Sequence, residues 1–229
     1  MARSGAARPS LLCGLRFGDD PIDSGTGRMA GMLDLSQNIV IRPSADADVP
    51  AMLAIYQHHI TRGVEDLGDY EPDPFGAEDL KRRRKTMRRK RLPHLVADLN
   101  GVVAGYVYAV PFRKRPAYRY TVKHSIYVHP DYLNAGIGRR LLPTLIEACA
   151  AAGYRQMIGY IDGANEASLR LHESCGFRRV GLLPSVAFKF GHWSDSVMVQ
   201  CPLGEGDTTK PVALAISRDD AAGPLNAAQ

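Results

Sequence analysis

One tryptophan, four cysteines and no long apolar run mark this sequence, and each shortage removes a class of protein. Nothing approaches the roughly 20 apolar residues that a helix needs to cross a bilayer, so no membrane span is expected. The apolar patch Leu11 to Leu15 is interrupted by Gly14 and followed by Arg16, too short for a secretion signal, and a cytoplasmic location is expected. Cys13, Cys149, Cys175 and Cys201 show no C-x-x-C pair and no metal-ligand spacing. Free, reduced thiols follow, with no support for a metal or for cysteine chemistry. Acidic residues are also in deficit, 24 against 29 lysines and arginines, and the resulting net charge of +5 suits an anionic ligand without requiring one.

What is present suffices for one domain with tails. The 229 residues can bury a sizeable core. Residues 1–38 are rich in Gly, Ser, Ala and Arg without sustained period, and 204–229 turn small and polar again. Both are expected to be disordered or extensions, leaving 39–203 as the domain.

Within it, Ile39 to Arg42 reads as a strand, and Asp48-Val49-Pro50 supplies the start of a helix that carries His58 and His59 near its end. Neighbours on a helix point apart, so that pair is poorly placed to share a metal. Gly63 to Gly76 reads as a loop. Lys81 to Arg91 is basic at every position but two; without interleaved aromatics a solvated helix face explains it better than nucleic acid does. Leu95 to Asp98 and Val102 to Val110 flank Asn100-Gly101, the pair that favours a type I′ hairpin turn. A loop from Pro111 to Arg119 precedes a strand, Tyr120 to Val128. A helix from Gly138 to Ala152, a strand Met157 to Ile161, a helix Glu166 to Cys175 and strands Arg178 to Leu183 and Ser196 to Cys201 complete an α/β sheet of mixed direction.

The stretch Ser125 to Leu142 organises the rest. A β-branched and aromatic run stops at His129-Pro130-Asp131, passes through a turn containing Gly136 and Gly138, and becomes a helix. Helix starts leave amide N–H groups unpaired at the positive end of the dipole, and glycine lets backbone approach a phosphate. Arg139 and Arg140 add charge beside it. A lone G-x-G also fits an ordinary strand-to-helix turn.

Four ordered segments resemble the GNAT superfamily of acyl-CoA-dependent N-acetyltransferases, and within it the phosphinothricin and L-amino acid N-acetyltransferases. These are Leu95 to Ala109; Ala117 to Val122 with Ser125 to Pro130; Asn165 to Ser168 with Leu171-His172-Glu173 and Gly176-Phe177; and Phe188 to Asp195. The resemblance implies a mostly antiparallel sheet with a splayed acyl-CoA-binding strand pair, flanked by helices, acetyl-CoA as co-substrate, and a homodimer. It places backbone of Ile126, Tyr127 and Val128 along the pantetheine arm, and Leu133, Asn134, Ala135, Gly136, Ile137, Gly138 and Arg139 around the pyrophosphate. Asn165 and Ser174 fall beside the coenzyme. It places Arg113, Arg115, Pro116, Ala117, Lys189 and Trp193 at the acceptor, a small acidic amino acid or analogue, with His172 or Tyr160 as proton donor to the departing thiolate.

Two positions depart from the family pattern. Leu133 stands where Arg or Gln is usual, which weakens one phosphate contact. Lys123 stands where relatives carry a glutamate that acts as general base, and a protonated lysine cannot accept a proton. Either the amine loses its proton to water, or neighbouring cations ease the proton off Lys123, or the pocket has changed substrate with Lys123 as an anion ligand. His124 falls on the opposite sheet face from Lys123, where a hydrogen-bonded structural histidine is expected rather than a replacement base. A GNAT-fold module that binds a CoA ester without turning it over is the alternative function.

Overall fold

The computed structural model describes residues 39–62, 76–212 and 214. The expected N-terminal extension, the loop over 63–75 and the far C-terminal tail lie outside the described residues, as does Cys13. Seven strands form one sheet in the order β1-β2-β3-β4-β5-β7-β6. They are β1 (Ile39–Pro43), β2 (His94–Leu99), β3 (Val102–Pro111), β4 (Thr121–Val128), β5 (Gln156–Asp162), β6 (Arg178–Lys189) and β7 (His192–Pro202). All neighbours are antiparallel except β4 and β5. The β2–β3 turn has Asn100 at φ 53° and Gly101 at φ 87°, the two left-handed residues of the expected turn.

Helices α1 (Val49–Thr61) and α2 (Ala77–Arg89) cover one face, and α3 (Ile137–Ala151) covers the other, with α4 (Glu166–Ser174) beside it. Alternation along the strands explains the division. Tyr106 and Tyr127 point to the first face, where Tyr56 of α1 meets Tyr127 edge-on at 5.7 Å. On the second, Gly105 is so close to α3 that a Cβ there would lie 3.0 Å from Ile137 Cγ2. Leu141, Leu142 and Leu145 on α3 are fully buried, each contributing about 1.5–3 kcal/mol.

β4 and β5 pair only from Thr121 to Lys123 against Gln156 to Ile158. Beyond that β4 continues against β3 alone, as far as Val128 opposite Gly105, so the two parallel strands splay as expected.

Two boundaries differ from the sequence reading. β6 and β7 are one long hairpin, joined at Phe190-Gly191 with φ 52° and 71°. Most of β6 is exposed on both faces, so the alternation that reveals a half-buried strand is missing. The expected tail also begins later than Gly204, because Arg155 holds the next turn by a bond to the Gly206 carbonyl (3.4 Å) and an ion pair with Glu205 (3.1 Å).

Candidate active site

The turn between β4 and α3 is built by conformation more than by charge. Pro130–Tyr132 makes one 3-10 turn, whose first N–H, that of Asp131, is accepted by His129 Nδ1 at 3.2 Å. Asn134 (φ 63°) and Gly136 (φ 79°) are both left-handed, and α3 starts directly after them with no acidic residue in its first turn. Its orphan amides and dipole therefore face an uncompensated anion site. A cleft of about 530 Å³ opens there.

Most of the expected coenzyme residues line this cleft. Ile126 and Val128 supply the β4 side; Leu133, Asn134, Gly136, Ile137, Gly138 and Arg139 the turn; Asn165 and Ser174 the α4 side. Leu133, the departure noted in the sequence, contributes an apolar, half-exposed side chain to this wall. Asn165 caps α4, its Oδ1 accepting from Ser168 N–H at 3.0 Å. Two expected residues do not line it. Tyr127 alternates to the other face, stacked on Tyr106 at 5.1 Å, and Ala135 packs against the core.

On the opposite face of β3 and β4, α2 roofs a chamber of about 830 Å³. Arg82, Arg83, Lys90 and Lys123 line it, with Asp79 the acidic member. Asp79 is bound by Arg82. Tyr108, Thr86 and Ser125 add hydroxyls, while Met87, Leu92 and Val110 add apolar wall. Strand alternation divides β4 between the two cavities: Lys123 and Ser125 face the chamber, Ile126 and Val128 the cleft. Such a chamber attracts a small anion with an apolar stem.

The expected acid–base residues fall elsewhere. His172 is 2% exposed. Its Nδ1 lies 2.7 Å from the Ser168 carbonyl and its Nε2 2.9 Å from His124 Nε2, so neither nitrogen is presented to the cleft, and its expected role as thiolate donor is corrected. Burial holds its proton affinity below the ordinary histidine value. His124 is the buried, hydrogen-bonded histidine expected, 3.1 Å from the Ile158 carbonyl; burial and then His172 lower it to about 3. Tyr160 is exposed on β5 and lines neither cavity.

The expected acceptor residues also stay outside both cavities. Arg113 lies over the Phe112 and Tyr118 rings at 5.2 and 5.3 Å, a cation–π clasp that holds it in its own loop. Arg115, Pro116 and Ala117 are exposed beside it. Lys189 pairs with Asp162. Trp193 is 63% exposed and meets Phe188 edge-on at 5.5 Å.

Sequence reading missed several lining residues. Arg82, Arg83 and Lys90 belong to a run read as a solvated face, and the run itself was the available signal. His59 lines the cleft and donates from Nε2 to the Val128 carbonyl at 2.8 Å; no local pattern marks a contact between α1 and β4. Arg170, on the exposed side of α4, also lines it.

The Acetyltransferase (GNAT) family model matches residues 60–177. A phosphinothricin N-acetyltransferase of Alcaligenes faecalis is 44% identical over 172 residues, covering 75% of this chain and 86% of that protein. An L-methionine sulfoximine/L-methionine sulfone acetyltransferase of Salmonella typhimurium is 36% identical over 167 residues, covering 73% and 96%. Among solved structures, a GNAT superfamily phosphinothricin acetyltransferase from Sinorhizobium meliloti in complex with acetyl-CoA aligns with a TM-score of 0.70 at 38% identity, over 80% of this chain and 97% of that one. The cleft fits that coenzyme: amide donors without a competing carboxylate, Arg139 beside them, and open space at Gly136, where nothing lies within 4 Å of a built Cβ. The chain therefore belongs to the GNAT family and is an acetyl-CoA-dependent N-acetyltransferase.

Proposed function

We propose that the chain acetylates the amine of a small acidic amino acid or analogue, of the phosphinothricin and methionine sulfoximine type. The observation that carries this reading is the position of Lys123. It lines the cationic chamber at the last residue where β4 pairs with β5, so an acceptor held by Lys123 lies next to the end of the coenzyme cleft. The names of the relatives above support the same substrate class.

Acetyl-CoA supplies the acetyl group as a thioester; the chain brings an uncharged amine to it. Lys123, with Arg82, Arg83 and Lys90 around the same chamber, holds the acceptor's acidic group and neutralises it at low dielectric. The ammonium proton leaves to water, since a charged lysine cannot take it; as the new C–N bond forms and the thioester C–S bond breaks, the amine's second proton passes through water to the departing thiolate. The transfer then rests on proximity and orientation, which alone can account for several kcal/mol of barrier. A non-catalytic binding module is not favoured, because the relatives are transferases.

The β6–β7 hairpin carries an exposed apolar band, Val180, Leu182, Val186, Phe188 and Trp193. We assign it to pairing with a second copy, since such a band on an edge hairpin is otherwise a liability.

The reading is tested by product formation. Wild type incubated with acetyl-CoA is expected to give N-acetyl products from phosphinothricin and methionine sulfoximine but not from alkylamines of the same size. Equal rates with alkylamines would contradict it.

A further inference from the structure

At the point where β4 leaves β5, the gap is filled by side chains. His124 is the first residue past the last paired one, and its ring lies against β5: a Cβ on Gly159 would sit 2.6 Å from His124 Cε1. Its Nδ1 is 3.1 Å from the Ile158 carbonyl and its Nε2 is 2.9 Å from His172 Nε2. Phe177 closes the group, 5.2 Å from one imidazole centroid and 5.1 Å from the other. From His172 the chain of contacts runs to the Ser168 carbonyl at 2.7 Å, and Ser168 is part of the coenzyme cleft wall. The two rings thus tie three things together: the end of the β4–β5 pairing, helix α4 and the cleft.

We propose that His124 and His172 are paired positioning residues for acetyl-CoA, a buried wedge that fixes how far β4 and β5 diverge and where α4 stands against the cleft. Both are 5% exposed or less. Three close ring contacts need three donated protons, and two neutral imidazoles hold two. Burial, the other ring and the Ile158 carbonyl set the proton affinity of His124, and burial with the Ser168 carbonyl sets that of His172. Among the described residues no carboxylate is a cause for either. The rings therefore stay neutral at working pH, one proton short of a complete chain, and a neutral, enclosed pair serves by holding shape. An amide in place of one ring brings two N–H donors and can restore the missing bond.

The inference rests on the assignment of the cleft to acetyl-CoA, which calorimetric binding of acetyl-CoA to wild type checks by itself. With that binding in hand, His124→Leu and His172→Leu are expected to raise the acetyl-CoA Kd and KM roughly tenfold while the acceptor KM stays within about twofold. His124→Gln is expected to recover most of the loss, and His124→Leu/His172→Leu to cost less than the two single losses combined, because the contact between the rings is lost only once. Folded variants with unchanged acetyl-CoA binding would overturn the proposal. So would a loss confined to kcat, which would make the rings proton donors. Should the leucine variants not fold, ring nitrogen resonances of ¹⁵N-histidine wild type decide: two histidines besides the buried His94 are expected not to titrate between about pH 5 and 9, and fewer than three such silent histidines would overturn it.

Discussion

Lys123 and Ile158 form the last rung of the parallel pairing between β4 and β5. Everything that makes the site follows from the strand going on alone past that rung. Past it Ser125 lines the chamber while Ile126 and Val128 line the cleft, so one stretch of backbone separates the two cavities. A sheet with β4 and β5 paired throughout would close the cleft.

Lys123→Gln removes the charge and keeps the length. A charge-assisted contact is worth about 1.5–3 kcal/mol, so the KM for an acidic acceptor is expected to rise about 10- to 100-fold, with the KM for acetyl-CoA unchanged. Steady-state kinetics with each substrate varied in turn check this. Equal effects on both would place Lys123 in the coenzyme site.

Gly136 holds φ 79° directly before α3, a conformation that costs an alanine about 1 kcal/mol. Gly136→Ala has room for its methyl, since nothing lies within 4 Å, so the penalty is one of backbone strain. Thermal unfolding is expected to fall by about 2–4 °C, and acetyl-CoA binding to weaken as the helix start relaxes. Calorimetry measures both.

Acid stability is expected to depend on Asp48. Arg42 grips its carboxylate by two bonds of 2.8 Å and reaches Asp98 at 2.9 Å. The Arg42 hydrogen bond outweighs burial and holds the Asp48 carboxyl below the usual carboxylate range. A group whose folded value is depressed contributes stability above its unfolded value, about pH 4, and loses it as pH falls through the folded one. Wild type should therefore lose stability steeply below about pH 4. Asp48→Asn should be less stable at neutral pH and lose less on acidification, as urea titrations at several pH values would reveal.

The apolar band on β6 predicts the state of assembly. Phe188, 59% exposed, lies in its middle. Wild type is expected to run as a dimer in size-exclusion chromatography with light scattering, and Phe188→Glu to shift it to monomer without lowering thermal stability of the fold. A monomeric wild type would contradict the assignment.

Much of the fold was legible because the signals are local. Asn100-Gly101 dictates its turn, and the Gly136 turn with the apolar stripe of α3 marks strand, loop and helix in order. The lining of the cleft was legible for the same reason: most of its residues are nearly consecutive. The lining of the chamber was not. Whether Arg82 and Lys90 face solvent or a chamber depends on how α2 lies across β3 and β4, which no spacing within the helix reveals. His172 looked free in sequence and is buried because β4 supplies His124 from 48 residues away. Arg113 was expected at the acceptor from the family resemblance, and its guanidinium lies over the Phe112 and Tyr118 rings of its own loop.

The most direct test of the account is thiol release from acetyl-CoA by wild type and Lys123→Glu, with acceptors matched in size but differing in their acidic group. Turnover by wild type that depends on the acidic group, and its loss when Lys123 becomes a glutamate, is the predicted result. Wild type that binds acetyl-CoA yet releases no thiol, while Lys123→Glu turns over, would contradict it.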